Sequence, residues 1–503
     1  MNVGTFLNLM GYGNRSTNNQ GLIKEFVKGV ATPQRVAQVL NDGTLADLPL
    51  KDMANSLPTD QAGVVTNPLI GVTGLWHKII QIDAKRYGLL YADTLNSNYL
   101  SFVMIRFNND STTTLSTKYN IVSSASVGMD MSMCMVSATK LMIVYTLGTT
   151  IYHKIYNISD DPNDLSLVSQ STGLLYDATA TSSFPNVNNL GDGKILLTFI
   201  HGSNLRGMVV TVPDSGSPTL GTPTSATTGL DPYYLIVREH MDGNFFWAYG
   251  GYHSGSSTGS LYVGSVIYNP LNDTITFPSA QSQPFTQAQP NRPFGFDYQP
   301  IDKKTGILYY YQYSAKVAKV TFDDSGAVSG KTNEHPINNT TSLGVSGDVG
   351  YFVACYGNDR MLVTRSGTKL KGWNIRYDPA VSPLPYATSP AVTLAASEDI
   401  QQIMPCLPDK FEGNRKKVRL FYLPPPGNTP KHLYVEGFYG KPIGVCLTSN
   451  TVTVQGISSN HSTLSAGETY YYDTNGLITT DSRGIQIGVA LSDTDIFMKE
   501  PII

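Results

Sequence analysis

RYGLLYAD (86–93), TKLMIVYT (139–146), GKILLTFI (193–200), GNFFWAYG (243–250), GILYYYQY (306–313), DRMLVTRS (359–366) and KVRLFYLP (417–424) are versions of one pattern, a turn feeding an apolar, aromatic-rich strand. Their starts fall 53, 54, 50, 63, 53 and 58 residues apart. A period of that length with no helical pattern inside it means one small sheet per repeat, stacked around an axis. The reading is an all-β chain built on a β-propeller of seven blades, with the quoted runs as the strands nearest the axis.

Each repeat holds more than one strand. After the quoted run comes a second with period-two alternation, such as NYLSFVMIRF from Asn98, TTIYHKIYNI from Thr149 or LKGWNIRY from Leu370. Alternation suits a half-buried strand, because successive side chains point to opposite faces. Before most quoted runs lies a third, such as SFPNVNNL, YYLIVREHM, GYFVACY or DIQQIMPCL. Asp192-Gly193 and Asp242-Gly243 supply hairpin turns, where both central residues need positive φ. GLWHKIIQI, from Gly74, alternates like a strand but precedes the first repeat. Trp76–Ile82 is therefore expected to complete the last blade and remove the open sheet edge.

Composition agrees. Charged residues are 15% of the 503, the chain holds 30 tyrosines, and the formal net charge is −3. That charge gives no electrostatic case for nucleic acid or an anionic membrane. One basic cluster (Lys410, Arg415, Lys416, Lys417, Arg419) reads as a solvated loop. Cys134, Cys355, Cys406 and Cys446 lie in apolar strand contexts without metal-ligand spacing and read as reduced core residues. The N-terminus lacks the pattern of a signal peptide, and no apolar stretch reaches the length of a membrane span.

Two flanks bracket the propeller, dividing the chain into residues 1–60, 61–439 and 440–503. In the first, Leu22, Ile23, Phe26, Val27 and Val30 recur at helical spacing. Thr32-Pro33 then opens a second short helix through Val36, Val39 and Leu40, closed by Gly43. This segment is expected to be an amphipathic helical pair that packs on the propeller or docks on a partner.

The last flank reads as hairpins, with strands at Val452–Val454, Tyr470–Tyr472, Ile485–Val489 and Ile496–Met498 and an Asn475-Gly476 turn. Its ordered positions Gly444, Val445, Leu447, Gly456, Leu464, Gly467, Tyr470, Tyr471, Asp473, Gly476, Gly488, Ala490, Leu491 and Ser492 resemble a small β-module of tailed-bacteriophage virion proteins, especially tail fibres and appendages. The resemblance covers about the last 60 residues. It implies a structural virion protein, assembled in a bacterial cytoplasm, whose partners are other virion proteins and copies of itself. Its role would be host attachment, through a surface glycan or receptor, or the joining of virion parts. A polysaccharide-degrading tail protein and a nozzle or hub component of the tail are the alternatives.

The catalytic inventory is thin. There is no P-loop, G-x-S-x-G elbow, H-E-x-x-H or paired C-x-x-C. Asp93, Glu239, His240 and Asp242 are the carboxylates and imidazole that a propeller glycosidase would need to bring together. Asp242 reads more simply as a turn residue, and sialidase-type Asp boxes are absent. Asp160, Asp161, Asn163 and Asp164 lack the register of a Ca²⁺ loop. Trp373, Tyr377 and Tyr309–Tyr311 offer sugar-stacking rings but fit sheet packing better. The sequence therefore assigns no catalytic, cofactor-binding or metal-ligating residue, requires no cofactor, and does not name the receptor-binding residues.

Overall fold

The quoted runs owe their apolar character to being paired on both edges and covered on both faces. In the computed structural model, which describes most of residues 72–331 and mainly individual strands within 14–68 and 335–498, each is the second strand of an antiparallel meander. Met131–Ser137, Lys140–Leu147, Thr150–Ile158 and Leu167–Asp177 pair in that order, for example. Seven such sheets follow one another among the described residues.

The first strands run Gly74–Gln81, Met131–Ser137, Ser182–Gly191, Leu230–Met241, Phe294–Asp302, Gly350–Tyr356 and Gln402–Met404. From Gly74–Gln81 to Gly350–Tyr356 each approaches the next, and Gln402–Met404 returns to Gly74–Gln81. Mutual approach of this kind marks the strands nearest the axis. The expectation that the quoted runs lie there is thereby corrected. A strand one place out is buried on every side and reads as continuously apolar, whereas the axial strand has one edge free and tolerates polar residues.

The core is divided into slabs between neighbouring sheets. Leu90 and Phe102 of the first sheet meet Met131, Leu141 and Ile143 of the second. Val144 and Ile155 meet Val187, Leu197 and Phe199 of the third. Phe421 of the last sheet packs against Tyr87, Leu89 and Phe107 of the first, with its ring centroid 5.5 Å from that of Tyr87. Each fully buried ring or Leu contributes roughly 1.5–3 kcal/mol, so the ring is closed by apolar burial. Tyr309 and Tyr310 are fully buried in this way, which removes them as sugar-stacking platforms.

Closure uses a different strand from the one expected. Gly74–Gln81 pairs with Arg86–Asp93 as the axial strand of the first sheet. Asn67–Pro68 instead pairs with Lys431–Glu436, the third strand of the last sheet. Cys406–Leu407 adds a parallel pairing to Ile79 and Ile80. The chain thus stitches its ends together twice, and the two-residue outer strand is too short to leave a periodic signal.

A repeating clasp joins the sheets at their outer turns. The first residue of the second strand reaches the turn after the third strand of the next sheet. Arg86 donates from Nη1 to the carbonyls of Asp161 and Asp164, both at 2.9 Å, while its Nε holds Asp83 at 2.6 Å. Lys140 Nζ donates to the Pro213 carbonyl at 2.8 Å, and Lys194 Nζ holds both Asp273 oxygens at 2.7 Å. The Asp160–Asp164 turn is therefore organised by a guanidinium, which takes carbonyls that a Ca²⁺ site would require. Arg86 is buried and Lys194 sits at the surface. Arg86→Ala should accordingly cost about 2–4 kcal/mol and Lys194→Ala far less, read from denaturant midpoints.

The flanks form a further sheet of ten strands. Leu22–Glu25 pairs with Thr451–Ser458, and Val36–Val39 pairs with Gly444–Thr448 and with Leu45–Asp47. Thr469–Tyr472, Ile485–Ala490 and Ile496–Met498 continue it. The helical expectation for residues 22–40 is corrected at both described strands, and Thr32-Pro33 and Gly43 lie outside the described residues. Leu, Ile and Val suit either element, and pairing partners more than 400 residues away decide between them. Among the described residues the only helical turn is the short 3₁₀ segment Thr94–Asn96, and no helix is long and apolar enough to cross a membrane.

Candidate functional site

The axial strands carry charged residues in the middle of apolar runs: Lys78 in GLWHKIIQI, Arg238 in YYLIVREHM and Asp297 in FGFDYQP, with Asp130 just ahead of Met131. Such positions are rarely charged without a partner or a task. Arg238 belongs to the fourth sheet and reaches the fifth, where its Nε lies 3.1 Å from Oδ1 of the fully buried Asp297. Its Nη1 donates to the Val237 carbonyl at 3.3 Å.

Asp130 spans the second and third sheets by accepting the Phe184 amide at 3.3 Å. Ser132 accepts the Val187 amide at 3.3 Å alongside it. Burial pushes the Asp130 carboxyl above the usual carboxylate range, against the Phe184 amide, the Thr146 hydroxyl and the Lys78 charge, which pull it down.

Lys78 comes from the first sheet. Burial first, and the Arg238 charge second, lower its ammonium to about 8, with Asp130 acting in the opposite direction. The Lys78 side chain is half-buried on the first strand of its sheet. Side chains from the first, second and fourth sheets thus act on one another electrostatically at the axis, and the fifth is tied in through Asp297. Perturbed groups converging from separate elements are the usual mark of a functional site.

The residues singled out in the sequence are placed elsewhere. Asp93 is buried and caps the Thr94–Asn96 turn. It accepts from Leu95 N at 3.0 Å and Asn96 Nδ2 at 2.7 Å and pairs with Lys118 at 2.5 Å. Burial raises its carboxyl, but these hydrogen bonds and the Lys118 charge outweigh that and hold it below the ordinary value. His240 bonds the Lys303 carbonyl at 3.0 Å and the Tyr298 hydroxyl at 2.6 Å, and stacks on Phe322 with centroids 3.8 Å apart. These contacts make it a joint between the fourth and fifth sheets. Glu239 is exposed beside it.

Asp242, Lys410, Arg415, Lys416 and Asn475-Gly476 lie outside the described residues, as do the side chains of Trp373 and Tyr377. Among the described residues no group of three His, Cys, Asp or Glu side chains is placed to hold a metal. Sequence reasoning passed over Lys78, Asp130, Arg238 and Asp297. The available signal was the charge breaking each apolar axial run.

The topology makes this chain a β-propeller carrying a separate terminal sheet. No protein-family model matches it, and no curated protein matches it in sequence. Among solved structures it is similar to the periplasmic gluconolactonase of Pseudomonas aeruginosa, at 10% identity and a TM-score of 0.45 over 74% of this chain and 96% of that one. It is similar to the WD40 domain of SCAP from fission yeast, at 10% identity and a TM-score of 0.41 over 76% and 91%. A subtype N10 neuraminidase-like protein of A/little yellow-shouldered bat/Guatemala/060/2010 aligns at 11% identity and a TM-score of 0.36 over 75% and 97%. Likeness at this level concerns the fold and assigns no activity.

Proposed function

We propose that this chain is a non-catalytic structural protein of a tailed-bacteriophage virion, with the propeller displayed as a binding domain and the terminal sheet as its mount. The observation that carries the reading is the pairing of residues from both flanks in one sheet. Both ends of the propeller segment thereby return to a single platform, the arrangement of a domain inserted into a scaffold. Gly444, Val445, Leu447, Gly456, Tyr470, Tyr471, Gly488 and Ala490, among the positions that resemble fibre and appendage modules, lie in strands of that platform. Val489, Leu491 and Phe497 are 37%, 53% and 45% exposed there, with Val489 directly opposite Phe497 across the strand pair. An apolar face of this kind suits contact with other virion proteins or copies of the chain. Loops at the ends of the rigid propeller would contact a host glycan or receptor, because the scaffold tolerates their variation.

One observation favours the depolymerase alternative. The Asp130 carboxyl, raised by burial on the axis, has the character of a general acid. Two measurements on the full-length chain decide between the readings. Antibody labelling of intact particles should mark an outward appendage, and host cells should adsorb the protein without release of reducing sugar. Reducing ends that disappear with Asp130→Asn would establish the enzyme instead. Labelling of a ring around the tail channel, with no adsorption to cells, would establish a nozzle or hub.

A further inference from the structure

We propose that Ser217 is an activated nucleophile, a site at which the chain takes an acyl group from an activated ester, with Ser171 relaying its proton to the buried His153. The inference goes beyond the structural role above and does not depend on it, since the step is a single covalent capture.

His153 lies on the third strand of the second sheet between Ile151 and Ile155, which pack in the slab facing the third sheet. It is buried, and its Nε2 is 3.0 Å from the Ser171 hydroxyl on the fourth strand. The Ser171 hydroxyl is 3.2 Å from that of Ser217, which stands exposed in the loop after the third strand of the third sheet. Three bonds pin that loop in place. Lys140 Nζ and Gln170 Nε2 donate to the Pro213 carbonyl at 2.8 and 2.9 Å, and Gln170 Nε2 donates to the Gly216 carbonyl at 3.2 Å. A hydrogen-bonded chain thus runs from an enclosed imidazole to a surface hydroxyl. His153 Nδ1 has no partner among the described residues. A half-satisfied imidazole in an apolar slab carries a cost that a purely structural joint would avoid, so the residue points to a task. With the proton on Nδ1, Nε2 accepts from Ser171 and Ser171 accepts from Ser217, and nothing at Nδ1 locks the opposite tautomer.

Burial lowers the His153 imidazole below its ordinary value, so at neutral pH it is uncharged and can accept a proton. Cys134, Lys140, Tyr176, His201, Arg206 and Asp214 are the titratable groups facing this slab, and burial, not any of them, causes the shift. Attack joins Ser217 Oγ to the acyl carbon and breaks the bond from that carbon to the leaving oxygen. The Ser217 proton passes to Ser171 as the Ser171 proton passes to His153 Nε2, and the imidazolium returns a proton along the same path to the departing oxygen. The amides of Gly216 and Ser217 donate to no described carbonyl and are available to the developing oxyanion. At Gly216 (φ +86°) no heavy atom lies within 4 Å of where a Cβ would stand, so the approach to Ser217 is open on that side. No described acceptor at Nδ1 steadies the imidazolium, which suits one capture rather than rapid turnover.

Treatment of the full-length chain with para-nitrophenyl acetate tests this, with acetylation located by peptide mass spectrometry. Ser217 should react at least about tenfold faster than Ser215, an exposed serine of the same loop outside the hydrogen-bonded chain. Its rate should rise to a plateau with a midpoint below pH 6.5, as His153 loses its proton. An unassisted serine instead gains about tenfold per pH unit throughout. Ser171→Ala should bring Ser217 down to the rate of Ser215, and Ser171→Thr, which keeps the hydroxyl, should preserve it. The comparison of the two serines in the parent needs no variant, so it decides even where Ser171→Ala fails to fold. Equal acetylation of Ser215 and Ser217 in the parent overturns the proposal. So does a Ser217 rate that climbs without a plateau, or one undiminished in folded Ser171→Ala. Any of these would leave the three side chains a polar joint between the second and third sheets.

Discussion

Gly306→Val should lower stability by at least about 3 kcal/mol, enough to deplete the soluble protein. A Cβ built on Gly306 runs into the Tyr298 hydroxyl and ring. The ring has nowhere to retreat. It stacks on Phe246 with centroids 4.1 Å apart and lies only 1% exposed, and its hydroxyl is bonded to His240 Nδ1 at 2.6 Å. His240 in turn bonds the Lys303 carbonyl and stacks on Phe322. Displacing one ring therefore disturbs the whole seam between the fourth and fifth sheets. Gly264 beneath Trp247 and Gly88 beneath Phe102 repeat the device, an aromatic side chain lying over a glycine in the neighbouring strand. Gly330→Ala is the control, since its Cβ would meet only the Thr321 hydroxyl oxygen, at 3.1 Å. Thermal denaturation of the two variants should separate them by well over 5 °C. Equal melting would show that the Tyr298 ring yields freely and that the seam is not rigid.

The parts of this fold legible from sequence are those dictated by local burial. The strand at Lys140–Leu147 is apolar from Leu141 to Tyr145 because it is paired on both edges and buried there, and its six counterparts are likewise the second strands of their sheets. Period and turn chemistry therefore located it without any knowledge of its neighbours. The order of strands from axis to rim was not legible, since it depends on which edge of a sheet faces the next sheet. Asn67–Pro68 and Leu22–Glu25 were illegible for a related reason. Their identity as strands comes from partners at 431–432 and 451–455, and a short run of Leu, Ile, Lys and Glu holds no record of them. The axial charges lie between these cases. Lys78 and Arg238 each stand out locally as a cation inside an apolar strand. Their placement on the first strands of the first and fourth sheets follows only from the order of strands within each sheet.

Removal of residues 1–48 should convert a soluble chain into one that aggregates, and should do so more severely than removal of both flanks together. Thr451–Ser458 begins TVTV, a β-branched run of high strand propensity and no charge. In the intact chain Gly444–Thr448 covers one of its edges and Leu22–Glu25 the other. Loss of the N-terminal strands leaves the Thr451–Gln455 edge bare, and a flat uncharged β-branched edge is a template for pairing with another chain. The native cover is suited to preventing this, because Lys24 and Glu25 place opposite charges on that strand. A chain lacking residues 440–503 as well carries no such edge, while its inter-sheet slabs remain intact. Size-exclusion chromatography with limited proteolysis distinguishes the three proteins. The expected order of recovery as a discrete species is the full chain, then the doubly trimmed chain, then the chain trimmed only at its N-terminus, which should also be cleaved between residues 437 and 451. Recovery of the N-terminally trimmed protein as a protease-resistant species would mean that the first strands are decoration on the terminal sheet, and the case for that sheet as a mount built from both ends of the chain would fall with it.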